Sequence, residues 1–178
     1  MQTAVHHSHK GARAAGAFIW GFRGHREAGG FYWHKEYTGH YSYHLPGFEV
    51  NDSNEELEVI QLVREAQAQM AGMHAAAPLA APEAPLLHAI DNPAHSIMWM
   101  GAPLGRTYRV ERAEHPEGPW RTLAAAVSDG RNEFNPATDT LFRDTTDLNP
   151  RQVYYYRVFA TNESGESPPS NVVATRVP

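Results

Sequence analysis

Cysteine is absent from all 178 residues. Disulfides, thiolate metal sites and a thiol nucleophile are therefore excluded, although the absence does not fix the compartment. Long apolar runs are missing too. Nothing approaches the ~18 residues that a membrane-spanning helix needs, and "MQTAVHHSHKGARAAG" at the N-terminus has no apolar core of signal-peptide length. Basic blocks are lacking as well. Fifteen Lys and Arg against 20 Asp and Glu give a formal net charge of −5, which argues against a nucleic-acid partner. Histidine is plentiful, at His6, His7, His9, His34, His40 and His44 among others. The four-residue step from His40 to His44 joins two imidazoles only on a helix, and "HYSYHLPG" does not read as one. Without an "HExxH" or cysteine, no metal is expected. No nucleophile-elbow motif supports a Ser–His–Asp hydrolase site.

What is present fits a soluble globular chain with room for one or two domains: 42% of residues are apolar and 20% charged. Composition shifts at "MHAAAPLAAPEAPLL", residues 73 to 87, where alanine and proline dominate. Proline stiffens such a segment into an extended spacer, so a linker is placed at 74–83.

Beyond it, seven short alternating runs are separated by turn residues. They are "APLLHAI" (84–90), "HSIMWM" (95–100), "TYRVERA" (107–113), "WRTLAAAV" (120–127), "LFRDTT" (141–146), "QVYYYRVFATN" (152–162) and "SNVVATRV" (170–177). Seven short strands with Gly, Pro, Asn and Asp between them predict an antiparallel β-sandwich. Alternation puts Ile97 with Trp99 on one face, Tyr108 with Val110, and Tyr154 and Tyr156 with Val158. These predict the core, with Trp99 its largest piece, contributing roughly 2–3 kcal/mol from area alone.

This half resembles a fibronectin type III domain over 84–178. The resemblance rests on Trp99, "YRVERA", "GPW" (118–120) and "DLNPRQVYYYRVFATNESGESPPSNVV" (147–173). Leu148 and Tyr154, with Pro150 between them, match that family's tyrosine corner, which implies that the Tyr154 hydroxyl ties back to nearby backbone. The Arg-Gly-Asp sequence of its cell-adhesion members is absent.

The first half reads differently. "EELEVIQLVREAQAQMAGM" (55–73) predicts a helix from Leu57, Ile60, Val63, Gln67 and Met70, capped at Asp52 or Ser53 and stopped at Gly72. Residues 1–13 are a second helix candidate, and Ala15 to Phe22 reads as a buried strand. Helix, buried strand, aromatic loop, helix is the grammar of α/β architecture. A lone strand leaves both edges unpaired. Its neighbours are expected from sequence preceding Met1 or, as the alternative, from another chain.

Residues 12–73 look like the C-terminal end of a glycoside hydrolase family 5 (β/α)₈ barrel, nearest its β-mannanase-like and cellulase-like members. The match is carried by "GAFIWGFRGH", "GGFYWH", "YHLPGF" and the final helix. It departs at Leu45, where tryptophan is usual, and at Ala28, where an acidic residue is common. The resemblance implies a retaining mechanism with two glutamates about 5–5.5 Å apart. Glu27, Glu36 and Glu49 match neither motif, so there is no catalytic residue to name and hydrolysis by this chain alone is not expected. It also implies that Trp20 floors the sugar site, with Arg23, His25, Tyr32, Trp33 and His34 as further substrate contacts at the strand end. Each has a plainer alternative: core packing for Trp20, ordering of the loop carbonyls around Gly29 and Gly30 for Arg23 and His25, and packing on the last helix for Tyr32 and Trp33. The glycine pair itself reads as backbone freedom for a tight turn.

The expected fold class is thus multi-domain: an incomplete α/β TIM-barrel fragment (1–73), a linker (74–83) and an all-β fibronectin type III sandwich (84–178). The expected function is that of the C-terminal portion of a β-glycanase. Its partner is a β-linked polysaccharide; no cofactor, nucleic acid or membrane is implied. An extracellular location follows from the substrate class. Two alternatives remain: a non-enzymatic fibronectin type III interaction or spacer protein, and a half-barrel completed by association through its unpaired strand. Limited proteolysis is expected to leave a core beginning near residue 80.

Overall fold

The computed structural model describes residues 24–31, 56–131 and 134–178. Its elements are α1 (Glu56–Met70), β1 (Leu86–Leu87), β2 (Trp99–Met100), β3 (Thr107–Ala113), β4 (Arg121–Ser128), β5 (Val153–Asn162), β6 (Gly165–Glu166) and β7 (Val173–Arg176). The expected helix at 1–13, the strand at 15–22 and the Asp52 or Ser53 cap lie outside the described residues.

Helix α1 stops where the glycine predicts. Gly72 takes φ +74°, while Met73 N–H bonds the Ala68 carbonyl (2.8 Å) and Gly72 N–H that of Gln69 (3.0 Å). This is the paired bonding of a Schellman ending, open to glycine without penalty. The buried side differs from the predicted stripe. Ala66 and Ala68 are buried, whereas Gln67 and Met70 are exposed. The Gln67 amide was the one polar member of that stripe, and it keeps to solvent. Segment 74–83 forms neither helix nor strand. It is tied down by Arg64 donating to the Ala77 carbonyl and by Asn162 Nδ2 donating to the Ala80 carbonyl (2.8 Å).

The remaining strands form two antiparallel layers. β1 pairs β2, and Ile97 and Phe142 add one further bridge to that layer. The larger layer runs β4-β3-β5-β6, with β7 also on β5. β3 matches its predicted bounds. The predicted strand at 141–146 is reduced to the single bridge at Phe142, because Asp144 turns its N–H onto the Pro93 carbonyl (2.8 Å) and its side chain into the core.

The alternation assigned the core correctly: Ile97, Trp99, Tyr108, Val110, Tyr154, Tyr156 and Val158 are all essentially inaccessible. Burying tyrosines demands partners for their hydroxyls. Tyr154 Oη accepts the Asn149 N–H (3.1 Å), which forms the expected corner. The chain reaches it through a turn closed by Gln152 N–H to the Asn149 carbonyl (3.2 Å), with Arg151 at φ +63°. Tyr156 donates to Asp144 Oδ2 (2.8 Å). Arg112 donates to the same oxygen (2.7 Å), and Thr146 supplies its N–H (3.0 Å) and hydroxyl (2.7 Å) to Oδ1. Burial alone pushes the Asp144 carboxyl up; the bonds from Thr146, Tyr156 and Arg112 outweigh it and hold the group below its ordinary value.

β5 meets an unusual neighbour in "SPPS", 167–170. Pro168 and Pro169 have no N–H to donate. The flanking serines compensate. Ser167 and Ser170 give their N–H groups to the Ala160 and Val158 carbonyls (2.8 Å each). Their Oγ atoms accept the Ala160 and Val158 N–H groups (2.9 Å each).

This packing makes three predictions. Asp144→Ala strands the buried Arg112 and is expected to cost about 3–5 kcal/mol, read as a lower urea midpoint with unchanged slope. Asp144 is also a pH element. Because its folded pKa is depressed, its contribution is present above the unfolded value, about 3.9, and is lost as pH falls through the folded one. Asp144→Asn should flatten that acid limb. Separately, Ser170→Ala orphans the buried Val158 N–H and is expected to cost about 1–3 kcal/mol by the same measurement.

Candidate functional site

Residues 24–31, "GHREAGGF", form a tight turn closed by a bridge between His25 and Phe31. Arg26 N–H bonds the Gly30 carbonyl (2.8 Å), and Gly29 N–H returns to that of Arg26 (3.0 Å). Gly29 at φ +102° and Gly30 at +77° make this possible, as the glycine pair predicts. Inside the turn His25 meets Phe31 edge-on, with ring centroids 5.1 Å apart.

The turn is seated on one end of the β-sandwich. His25 Nδ1 lies 2.8 Å from Asp129 Oδ2, with the two side chains 9% and 0% exposed. That is an ion-pair separation, with no hydrogen bond formed between the two atoms. The Tyr108 ring stands perpendicular to the imidazole, centroids 6.4 Å apart, and itself tilts against Trp99 at 5.2 Å. Burial first, and then the Asp129 charge, push the Tyr108 phenol far above its ordinary value, so it stays protonated. Arg26 donates to the Phe134 carbonyl (3.0 Å).

The seat has no spare volume. A Cβ on Gly29 would come 2.8 Å from the Met98 methyl and 3.2 Å from the Trp99 carbonyl, and one on Gly30 would enter the Phe134 ring. On the sandwich side, a Cβ on Gly101 would collide with His25 Nδ1, Asp129 Oδ2 and Tyr108 Oη together. The three polar groups thus converge on a point that only glycine leaves open.

Of the six candidate substrate residues, His25 is the one within the described residues. Its ring faces the sandwich. Trp20, Arg23, Tyr32, Trp33 and His34 lie outside them. Gly101, Tyr108, Asp129 and Phe134 were not singled out by sequence reasoning as site residues. Asp129-Gly130 behind an apolar strand reads as an ordinary turn, and nothing in its spacing shows a carboxylate turned inward. Among the described residues no group of three or more His, Asp or Glu side chains is placed to hold a metal ion, and no helix is long and apolar enough to cross a membrane.

A second polar cluster covers the outer face of the larger sheet. The Arg157 guanidinium lies over the Trp120 ring (4.1 Å) and near Phe159 (5.1 Å), and that of Arg109 over Phe159 (4.0 Å). Both cations are spoken for. Arg157 Nε donates to Glu111 Oε2 (2.7 Å). Arg109 bonds Glu111 and grips Glu166 with two nitrogens (2.9 and 2.7 Å), which draws the Glu166 carboxyl below its ordinary value. Each charge of this cluster has an opposite partner among the described residues.

No family model matches the chain, and no curated protein matches it. Solved structures do align with it. A fibronectin type III-like protein from Clostridium thermocellum is 25% identical over 56% of this chain and 93% of its own, with a TM-score of 0.38. FN3tt is 17% identical over 56% and 97%, at 0.39. A fibronectin type III domain from the human KIAA0970 protein is 15% identical over 72% and 88%, at 0.35. The C-terminal part of the chain has the fibronectin type III fold, on the strength of its own strand pairing and the Tyr154 corner.

The seat makes a graded prediction. Gly30→Ala and Gly101→Ala should each cost about 1–3 kcal/mol by overpacking, seen as a lower midpoint of thermal unfolding. Gly24→Ala, whose Cβ would meet nothing within 4 Å, should stay within about 0.5 kcal/mol of the parent.

Proposed function

We propose that the chain is the C-terminal portion of a family 5-like β-glycanase, its fibronectin type III sandwich serving as an accessory module. The observation that carries this reading is the seating of "GHREAGGF" on the sandwich. That turn belongs to the stretch whose residues resemble the barrel's last strand and loop, which supports reading the sandwich as a module attached to that stretch. Glu27, Glu36 and Glu49 match neither catalytic motif, and the retaining chemistry requires a glutamate pair. The contribution of this chain is then binding rather than bond cleavage. Trp20 supplies the aromatic floor, with Arg23, Tyr32, Trp33 and His34 beside it. His25, which faces Asp129, is left out of the sugar contacts in this reading. A β-linked polysaccharide partner and an extracellular setting belong to the same reading.

The alternative is a non-enzymatic fibronectin type III interaction or spacer protein. It is favoured by the size of the core that the sandwich builds from its own residues, Leu87 to Ala160 among the described ones.

Electrophoresis of the full chain through gels containing soluble β-mannan or carboxymethylcellulose separates the two. Retardation by one polymer, relieved by Trp20→Ala, is the expected result. Unretarded migration in both gels would leave the spacer reading standing and remove this one.

A further inference from the structure

We infer that the end of the β-sandwich is a docking socket whose partner is the turn at 24–31 of the same chain, with Asp129 as the residue that recognises it. The inference does not depend on the glycan reading; it concerns how the two parts of the chain are joined.

Three features carry it, and each is anomalous for a sandwich that stands alone. The first is Asp129, a carboxylate with no exposure, next to a strand end. Burying such a group is costly unless a donor or a cation accompanies it. On the sandwich side it is faced by the Tyr108 phenol. From the turn it is faced by His25. The second is Gly101, where any side chain would collide at once with His25, Asp129 and Tyr108. Its missing Cβ is space kept for an imidazole. The third is Phe134, whose ring fills the space a Cβ on Gly30 would need and whose carbonyl accepts a hydrogen bond from the Arg26 guanidinium.

The socket therefore has a chemical specification. It takes an imidazole against the acid, a guanidinium on the carbonyl beyond it, and two successive glycines under aromatic and thioether side chains. "GHREAGGF" meets each requirement within eight residues. Asp129 acts through the turn's position and is a positioning residue. The turn and the sandwich should accordingly open together. A flexible spacer would instead let them open separately.

Hydrogen exchange on the full chain tests this. The parent should protect the amides of 25–31. His25→Ala and Asp129→Ala should each speed their exchange about tenfold or more, and the double variant should match the faster single variant within about a factor of two, as expected for partners in one contact. His25→Ala deletes nothing from the sandwich, so strand amides in β3 and β5 should stay protected and show that the fold persists even if Asp129→Ala unfolds. Unchanged exchange of 25–31 in folded His25→Ala would overturn the inference. So would strictly multiplicative effects of the two substitutions, which would mean that the residues act independently. Loss of protection on dilution of the parent would show a turn supplied by a second copy and would overturn the intrachain seat.

Discussion

One carboxylate pins the layers of the sandwich together. Asp144 sits in the segment that bridges to the smaller sheet at Phe142, and it receives Arg112 from β3 and Tyr156 from β5 of the larger one. Four donors converge on its two oxygens, so the charge is fully compensated while remaining inside. The hydrophobic faces bring the layers into contact, but apolar burial is non-directional. The Asp144 bonds fix which residue faces which. They also explain why a run that alternates like a strand departs from the ladder after one bridge.

Asp129 is the instructive contrast. It is as deeply buried as Asp144, yet its surroundings are an imidazole at ion-pair distance and a neighbouring phenol. Asp144 is satisfied from within the sandwich, whereas Asp129 is faced both by Tyr108 of the sandwich and by His25, more than a hundred positions earlier. The first acid makes the domain; the second joins it to something else. The contact it makes is with the turn at 24–31.

Much of this architecture is legible in the residues. Period-two alternation placed Trp99, Tyr108, Tyr156 and Val158 inside because a strand has only two faces and one of them is apolar. Leu148, Pro150 and Tyr154 announced the corner, and Gly72 the helix end, because each is a local device whose partners lie within a few positions. The acids were not legible. An Asp before Thr-Thr and an Asp before Gly are ordinary turn chemistry. Only long-range folding shows that both point inward. The same reason hid the site. Its parts come from residues 25–30, 101, 108, 129 and 134, and no local spacing links them. The alanines buried on α1 were missed because the stripe was drawn through larger side chains.

The Ser-Pro-Pro-Ser passage beside β5 has a consequence for how the molecule behaves in company. An ordinary border strand advertises free amides that an unrelated polypeptide can zip onto, the first step toward fibrils. Here the outermost chain over that stretch is two imino acids, which have no N–H to offer a newcomer. The serines spend their own polar atoms inward, on β5. That margin is a poor template for strand addition, because a partner would find no amide donors along the two prolines.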